Sequence, residues 1–377
     1  MKPIKCMCVI GTRPEAIKMA PVISALQGTD WARCRVVLTG QHRDLCRPVL
    51  DLFSLAADAD LDVMVDDQAL SVLTARLHEG LGGEIRETRP DIVIAQGDTA
   101  SAYVAALEAY YHGIPFCHVE AGLRTGRLQE PFPEEYYRMA IAPLAWLNFA
   151  PTEHARDNLR RENISEETIV VTGNTAIDAL HAVSGMRPPM PLELDPAKRY
   201  LLVTTHRREN FGVGVDGIIQ GVSGLLARFD NVGVIWLAHP NPAVKPIVET
   251  AFAGHDRVHV LDAVAYDTMV SILGACDIVL TDSGGLQEEA PALGRPVFVT
   301  RNATERQETV DAGTSVTLGT NPDRIVDAVS AVLESPEAYA RMARTWSPYG
   351  DGKASQRIVH AIRDRLEHVS RLRDGDG

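Results

Sequence analysis

Three acidic residues stand just beyond strand-like runs or in a stiff loop. Asp98 follows the run 91–96 in Gln96-Gly97-Asp98-Thr99. Glu120 follows 115–119 in His118-Val119-Glu120-Ala121-Gly122, and Glu134 lies in Pro131-Phe132-Pro133-Glu134-Glu135. Carboxylates that converge on one site suit proton transfer, because a shared site pushes their pKa values apart and yields one acid and one base. Taken singly, each reads more simply as an N-cap or a solvated loop carboxylate. A second group suits anions. In Thr281-Asp282-Ser283-Gly284-Gly285-Leu286-Gln287-Glu288-Glu289 an apolar strand runs through Ser-Gly-Gly into a helical pattern that continues to Leu293. Glycine lets a backbone approach a ligand, and a helix N-terminus presents unpaired N–H groups with partial positive charge, so phosphate can be held there without a metal. Glu289, one turn into that helix, is placed to accept hydrogen bonds from sugar hydroxyls, as acidic residues do for ribose. Arg306 offers a guanidinium suited to a diphosphate. Arg13 and Lys18 follow the first strand in Gly11-Thr12-Arg13-Pro14-Glu15 and the helix it opens, within reach of an anion over the strand end; Pro14 suits the first helical position.

Several other chemistries fit the same residues poorly. Asp282-Ser283-Gly284-Gly285 looks like the surroundings of a serine-protease nucleophile, yet here it caps a helix in an alternating α/β pattern. His118-x-Glu120 mimics half of a zinc-deaminase signature whose Pro-Cys-x-x-Cys half is missing. His206 and His239 end neighbouring strand-like runs, 200–205 and 232–238, without the carboxylate or thiolate company of a metal site, and read as ligand-contacting groups. Gly212-Val213-Gly214-Val215-Asp216-Gly217 matches GxGxxG, but it follows a polar loop, and the next strand ends in His239-Pro240 where a dinucleotide site wants Asp or Glu. It reads as a flexible glycine loop entering a helix. No metal and no cofactor are expected.

The elements that must position these groups alternate. Strand-like runs at 5–10, 35–39, 91–96, 115–119, 147–151 and 168–172 are separated by helical patterns at 16–26, 70–88, 100–112, 135–145 and 153–162. Continuous apolar strands between amphipathic helices indicate a parallel sheet covered on both faces. Gly185-Met186-Arg187-Pro188-Pro189-Met190-Pro191 opposes both helix and strand and reads as a linker. The alternation restarts at 200–205, 232–238, 258–261, 277–281, 296–300 and 315–318, and a frayed tail is expected from Asp374. Two doubly wound Rossmann-like α/β domains with a deep cleft between them follow, ligands binding beyond the carboxyl ends of the strands.

The 377 residues exceed one compact core, and 45% hydrophobic with 23% charged residues is ordinary for a soluble enzyme. No window approaches the roughly 18 apolar residues of a membrane span. The short run 6–10 leads straight into Gly11-Thr12-Arg13 and reads as a strand, so a cytoplasmic protein is expected. The six cysteines contain no CxxC pair and read as buried free thiols. A net charge of −13 argues against nucleic acid or an anionic membrane as partner, and requires local cations for any phosphorylated ligand.

Together these motifs resemble the non-hydrolysing UDP-N-acetylglucosamine 2-epimerases. The likeness runs over nearly the whole chain: Gly11–Lys18, Gln41-His42-Arg43, Gly97-Asp98-Thr99, Glu120 to Gly126, Pro133-Glu134-Glu135 with Arg138, Thr172-Gly173-Asn174-Thr175, His206-Arg207-Arg208-Glu209, Asp282 to Pro291, Thr304-Glu305-Arg306 and Pro348 to Gly352. The resemblance implies a fold of the glycosyltransferase-B type, with an N-terminal domain of 1–182 joined by a returning C-terminal helix in 355–377, and a UDP-binding domain of 192–354. It implies a homodimer and reversible inversion at C2 of UDP-N-acetylglucosamine (UDP-GlcNAc) to UDP-N-acetylmannosamine (UDP-ManNAc). Chemistry narrows the route: the C2 hydrogen is not next to a carbonyl, so inversion needs transient oxidation or loss of the C1 leaving group. The family's route is loss of UDP to give 2-acetamidoglucal, then re-addition.

On that likeness Asp98, Glu120 and Glu134 are the acid/base set, with individual roles open, and His206 contacts the leaving diphosphate. Arg13, Lys18, Ser283, Gly284, Gly285 and Arg306 stabilise charge on UDP, Glu289 holds the ribose, and Gln41, Arg138 and His239 join the substrate-binding residues. The family's second UDP-GlcNAc site, where the substrate activates, is matched by Gln41, Arg207 and His239, while Asp44 and Val65-Asp66-Asp67 depart from it. Tyr137 stands where Asn is usual, and Asn302, Ala303 and Gln307 where Asp, Thr and Pro are common. A hydrolysing epimerase releasing UDP and N-acetylmannosamine, and a glycosyltransferase on the same scaffold, remain the alternatives.

Overall fold

A computed structural model describes residues 3–42, 44–65, 67–205, 212–239, 241, 244–304, 306–344 and 347–375, with 370–375 as backbone only. The chain forms two compact units, 1–179 with 349–377, and 180–348.

The first unit opens with β1 (Ile4–Ile10), α1 (Arg13–Gln27), β2 (Ala32–Leu38), α2 (Arg47–Leu52), β3 (Ala59–Asp60) and α3 (Leu70–Thr88). It continues with β4 (Ile92–Gln96), α4 (Ala100–Tyr111), β5 (Phe116–Val119), α5 (Glu134–Ile141), β6 (Leu147–Ala150), α6 (Glu153–Arg161) and β7 (Ile169–Val171). Among the described residues these strands pair in the order β3-β2-β1-β4-β5-β6-β7, all parallel. Alternation along β1 shows why the runs are apolar throughout. Cys6, Cys8 and Ile10 pack with Met19, Ile23 and Leu26 of α1 on one face, while Met7 and Val9 pack with Leu77 and Leu81 of α3 and Val104 of α4 on the other. Each such fully buried aliphatic side chain contributes roughly 1.5–3 kcal/mol. All six cysteines are free, and burial pushes the Cys6 thiol up to about 12.

The division between the units falls within α7 (Thr175–Met186). The second unit then runs β8 (Arg199–Thr205), α8 (Val213–Arg228), β9 (Val232–Ala238), α9 (Lys245–Ala251), β10 (Val258–Leu261), α10 (Tyr266–Ala275) and β11 (Ile278–Thr281). It ends with α11 (Gly284–Ala292), β12 (Val297–Val299), α12 (Gln307–Asp311), β13 (Ser315–Thr317), α13 (Pro322–Glu334) and α14 (Pro336–Met342). The described strands pair in the order β10-β9-β8-β11-β12-β13, again all parallel. In both sheets the first strand lies between the second and fourth strands of its unit, so the winding reverses beside it, and ligands of such sheets bind at that switch point.

The chain returns to the first unit as α15 (Ala354–Gly375), whose Ile358, Val359 and Ile362 join the β1–α1 core. Asp178 anchors the start of α15 by accepting from the backbone N–H groups of Ala354 at 3.0 Å and Ser355 at 2.8 Å. The helix runs on through Gly375, where the composition suggested a frayed tail. None of the described helices is long and apolar enough to cross a membrane.

The GxGxxG match is a packing feature. Gly212 caps α8 at φ +76, while Gly214 and Gly217 lie inside the helix and form no loop. A Cβ on Gly217 would stand 2.1 Å from the Thr320 carbonyl oxygen, and one on Gly221 would stand 2.9 Å from Ile325 Cβ in α13. Glycine is required there by the close approach of the chain. An exposed helical Gly→Ala change stabilises by about 1 kcal/mol, but overpacking costs about 1–3 kcal/mol. Gly217→Ala is therefore expected to lower the thermal unfolding temperature. Gly83→Ala in α3, whose nearest neighbour would be 3.9 Å from the new Cβ, is expected to raise it. Differential scanning calorimetry reads both, and a stabilised G217A would refute the packing assignment.

Candidate active site

In the first unit the switch point lies between β1 and β4, and the chain leaves these two strands toward opposite faces of the sheet. Beyond β1, the Gly11-Thr12 turn enters α1, which carries Arg13 and Lys18. Beyond β4, the Gly97-Asp98-Thr99 loop enters α4, where Thr99 Oγ1 caps the helix by accepting from the Ala102 N–H at 3.2 Å. A carboxyl bridges the two loops. Glu15 Oε2 accepts from the Gly11 and Thr12 N–H groups, each at 2.6 Å, and Glu15 Oε1 accepts from the Thr99 hydroxyl. Burial outweighs these three donors and, with Asp98 nearby, raises the Glu15 pKa to about 7.

The three acidic residues singled out in the sequence all belong to this unit and differ in surroundings. Asp98 is ion-paired with Arg138 on α5, and Arg138 also reaches Glu135 Oε2 at 3.3 Å. Glu135 is fully buried and its Oε1 accepts from the Thr125 and Gly126 N–H groups, both at 2.9 Å, which ties the loop after β5 to α5. Glu120, past the end of β5, has a left-handed φ of +64, a conformation that costs a non-glycine residue about 1–3 kcal/mol. Its carboxyl is held by Lys18 Nζ at 2.5 Å and Gln96 Nε2 at 3.0 Å. Strain kept in place by two side chains aims this carboxyl at the strand ends. Glu134 opens α5, and its buried Oε2 has no hydrogen-bond partner among the described residues.

His118 on β5 lies beneath this group. Its Nε2–H donates to the Gly97 carbonyl at 2.7 Å, and burial lowers its pKa to about 4, so it is neutral with Nδ1 unprotonated. Arg13 is exposed, and its backbone N–H points at His42 Nδ1, 3.5 Å away. Gln41 Oε1 accepts from Ser101 Oγ at 2.9 Å. Tyr137 is turned into the layer of α3, α4 and α5, stacked on Tyr103 at 4.8 Å between ring centroids, so the departure at this position is absorbed by packing.

In the second unit the Ser-Gly-Gly turn joins β11 to α11. Ser283 caps α11, its Oγ 3.5 Å from the Leu286 N–H, and its own N–H donates to Thr281 Oγ1 at 2.9 Å. Arg306 covers the helix start: a Cβ on Gly284 would lie 3.1 Å from its Cζ, and its Nε donates to buried Glu288 at 2.9 Å. Gly284 thus leaves room for a guanidinium beside free-ended backbone N–H groups. Glu289 Oε1 accepts from the Tyr266 hydroxyl at 3.0 Å, and burial beside this carboxylate keeps Tyr266 protonated. His239 follows β9 and accepts from the Asn241 N–H at 3.1 Å through Nδ1. His206, Arg207, Arg43, Asp66 and Glu305 lie outside the described residues.

Sequence reasoning missed Glu15, Glu135, Glu288 and Tyr266. Thr12-x-x-Glu15 has the spacing of a capping box, a signal that was available. Glu135 also has a local signal in Arg138, three positions on, whereas the partners of Glu288 and Tyr266 lie 18 and 23 positions away and left none.

Two parallel Rossmann-like sheets, each with polar groups gathered past its carboxyl edge, define a protein of the glycosyltransferase-B type. Residues 24–363 match the family described as UDP-N-acetylglucosamine 2-epimerase, and the chain belongs to that family. It is 44% identical over 371 residues to a UDP-N-acetylglucosamine 2-epimerase of Yersinia pestis, covering 96% of this chain and 99% of that one. Among solved structures, a putative UDP-N-acetylglucosamine 2-epimerase of Listeria monocytogenes superposes with a TM-score of 0.90 at 38% identity, covering 98% of each chain. The Neisseria meningitidis UDP-GlcNAc 2-epimerase bound to UDP-GlcNAc superposes with a TM-score of 0.88 at 38% identity, covering 96% of this chain and all of that one (100%).

Glu15 and His118 pull stability in opposite directions. Folded His118, lowered from 6.5 to about 4, binds fewer protons than the unfolded chain between those values, so stability rises with pH there. Folded Glu15, raised from 4.5 to about 7, binds more, so stability falls as pH climbs through that window. The two offset each other where the windows overlap. Glu15→Gln removes one slope, and the urea-unfolding free energy of this variant is expected to rise by about 2 kcal/mol from pH 4 to 6.5 relative to wild type, at about 1.4 kcal/mol per pKa unit. A variant whose pH profile parallels wild type would contradict the buried titrations.

Proposed function

We propose that this chain interconverts UDP-GlcNAc and UDP-ManNAc, without releasing free sugar, by eliminating and re-adding UDP. A carboxylate of the first unit takes the C2 proton. The C–H electrons become the C1–C2 double bond of 2-acetamidoglucal, the C1–O bond breaks, and its electron pair leaves with UDP. In the return step a diphosphate oxygen attacks C1 and a proton reaches C2 from the opposite face. Asp98, Glu120 and Glu134 form the acid/base set. Glu134, with a buried oxygen that no described residue satisfies, has hydrogen-bonding capacity left for a substrate.

The negative charge that grows on the diphosphate is met by the N-terminus of α11 at Ser283, Gly284 and Gly285, by Arg306, and by Arg13 and Lys18. Arg138 holds Asp98, Glu289 takes the ribose hydroxyls, and His206 contacts the diphosphate.

The observation that carries this reading over transient oxidation by a dinucleotide is the fate of the glycines. Gly214 and Gly217, which a dinucleotide fingerprint would place in a phosphate loop, are inside α8, and Gly217 is packed against Thr320. Gly284 and Gly285 instead open a helix beneath a guanidinium. The relative from Neisseria meningitidis, bound to UDP-GlcNAc, supports the substrate. The enzyme acts as a cytoplasmic homodimer.

Proton NMR of the protein with UDP-GlcNAc in deuterated water tests this. UDP-ManNAc is expected, with deuterium at C2 of both epimers, and Asp98→Asn, Glu120→Gln and Glu134→Gln are each expected to lower turnover by about 10²–10⁴-fold. Free UDP with N-acetylmannosamine would establish the hydrolysing reaction instead. Normal turnover in all three variants would remove the site assignment.

A further inference from the structure

Each residue of the Gly97-Asp98-Thr99 loop is held by a side chain from a different element. His118 on β5 donates to the Gly97 carbonyl, Arg138 on α5 pairs with Asp98, and Glu15 on α1 accepts from the Thr99 hydroxyl. Glu15 reaches furthest, because its second oxygen takes the N–H groups of Gly11 and Thr12. Those residues form the turn that delivers Arg13 and Lys18, so one buried carboxyl spans both sides of the switch point. The surroundings admit little slack: a Cβ on Gly11 would lie 2.2 Å from Ser101 Oγ and 3.0 Å from Glu15 Oε2. Glu15 is 2% exposed. Capping α1 requires only the bond to the Thr12 N–H; the bonds to Gly11 and Thr99 go beyond that need.

We propose that Glu15 is a positioning residue for the epimerisation, fixing Asp98 relative to Arg13 and Lys18 so that proton transfer at C2 and departure of the diphosphate share one geometry. This rests on the reading of Asp98 as a member of the acid/base set. A misplacement of about 1 Å at such a centre can cost about 10²-fold in rate, with little effect on how tightly substrate binds.

Glu15→Gln tests it with little disturbance to the fold. The glutamine keeps an oxygen for the two backbone N–H groups but turns an N–H toward Thr99, whose Oγ1 already accepts from the Ala102 N–H. Turnover in E15Q is expected to fall about 10–100-fold while KM for UDP-GlcNAc changes less than about threefold. Thr99→Val, which also removes the α4 cap, should lose at least as much, and the double variant no more than T99V alone, because both changes break the Glu15–Thr99 bond. Thr99→Ser, which keeps the hydroxyl, should recover most of the turnover. T99V reads the same bond should E15Q not fold. Wild-type kcat in E15Q or T99V, a change confined to KM, or losses that multiply in the double variant would each overturn the proposal. Asp98→Asn measured alongside separates the two levels: an active D98N removes the underlying reading, whereas an active E15Q beside a disabled D98N removes only the role of Glu15.

Discussion

The first unit depends on the reversal of winding between β1 and β4. Two adjacent parallel strands send their chains to opposite faces, and the gap between the departing loops is where polar groups can gather without burying unsatisfied backbone. Several charged groups of this unit gather around that gap: the cations of α1 on one side, the Asp98 loop on the other, and Glu120, paired with Lys18, and the start of α5. A carboxyl, an imidazole and a guanidinium hold the loop. Neutral His118, ionisable Glu15 and ion-paired Glu135 are buried, while Asp98 is partly exposed.

The second unit uses the same winding for a different purpose. Its polar groups at the end of β11 are fewer and simpler: a capped helix start, a guanidinium anchored on buried Glu288, and a carboxylate one turn in. That set suits a phosphorylated sugar, which is the role proposed for it. The net charge of −13 makes these local cations necessary, since the overall field repels a diphosphate.

Much of the scaffold was legible because a parallel sheet buried on both faces demands unbroken apolar runs. The run 91–96 became β4 and 232–238 became β9 almost to the residue. β3, with two residues, and α2, with six, are too short to leave a periodic signal, and neither was anticipated. The glycine fingerprint was read as a flexible loop, whereas Gly214 and Gly217 lie inside α8; the reason for Gly217, close passage of Thr320 beside α8, depends on residues about 100 positions apart and is invisible in a local pattern. The same limit applies to the site. Lys18 and Glu120 could each be named as charged residues at strand ends, but their 2.5 Å pairing across 102 positions exists only in the folded chain. Arg138 and Asp98 are a similar case.

The central claim is that the C1–O bond breaks while C2 inverts. Positional isotope exchange tests it most directly: UDP-GlcNAc carrying ¹⁸O in the bridge between C1 and the β-phosphorus is incubated with the protein, and phosphorus NMR follows the label. Elimination frees the diphosphate to rotate, so the label is expected to scramble into the non-bridging oxygens as UDP-ManNAc forms. Label that stays in the bridge while C2 inverts would contradict the account.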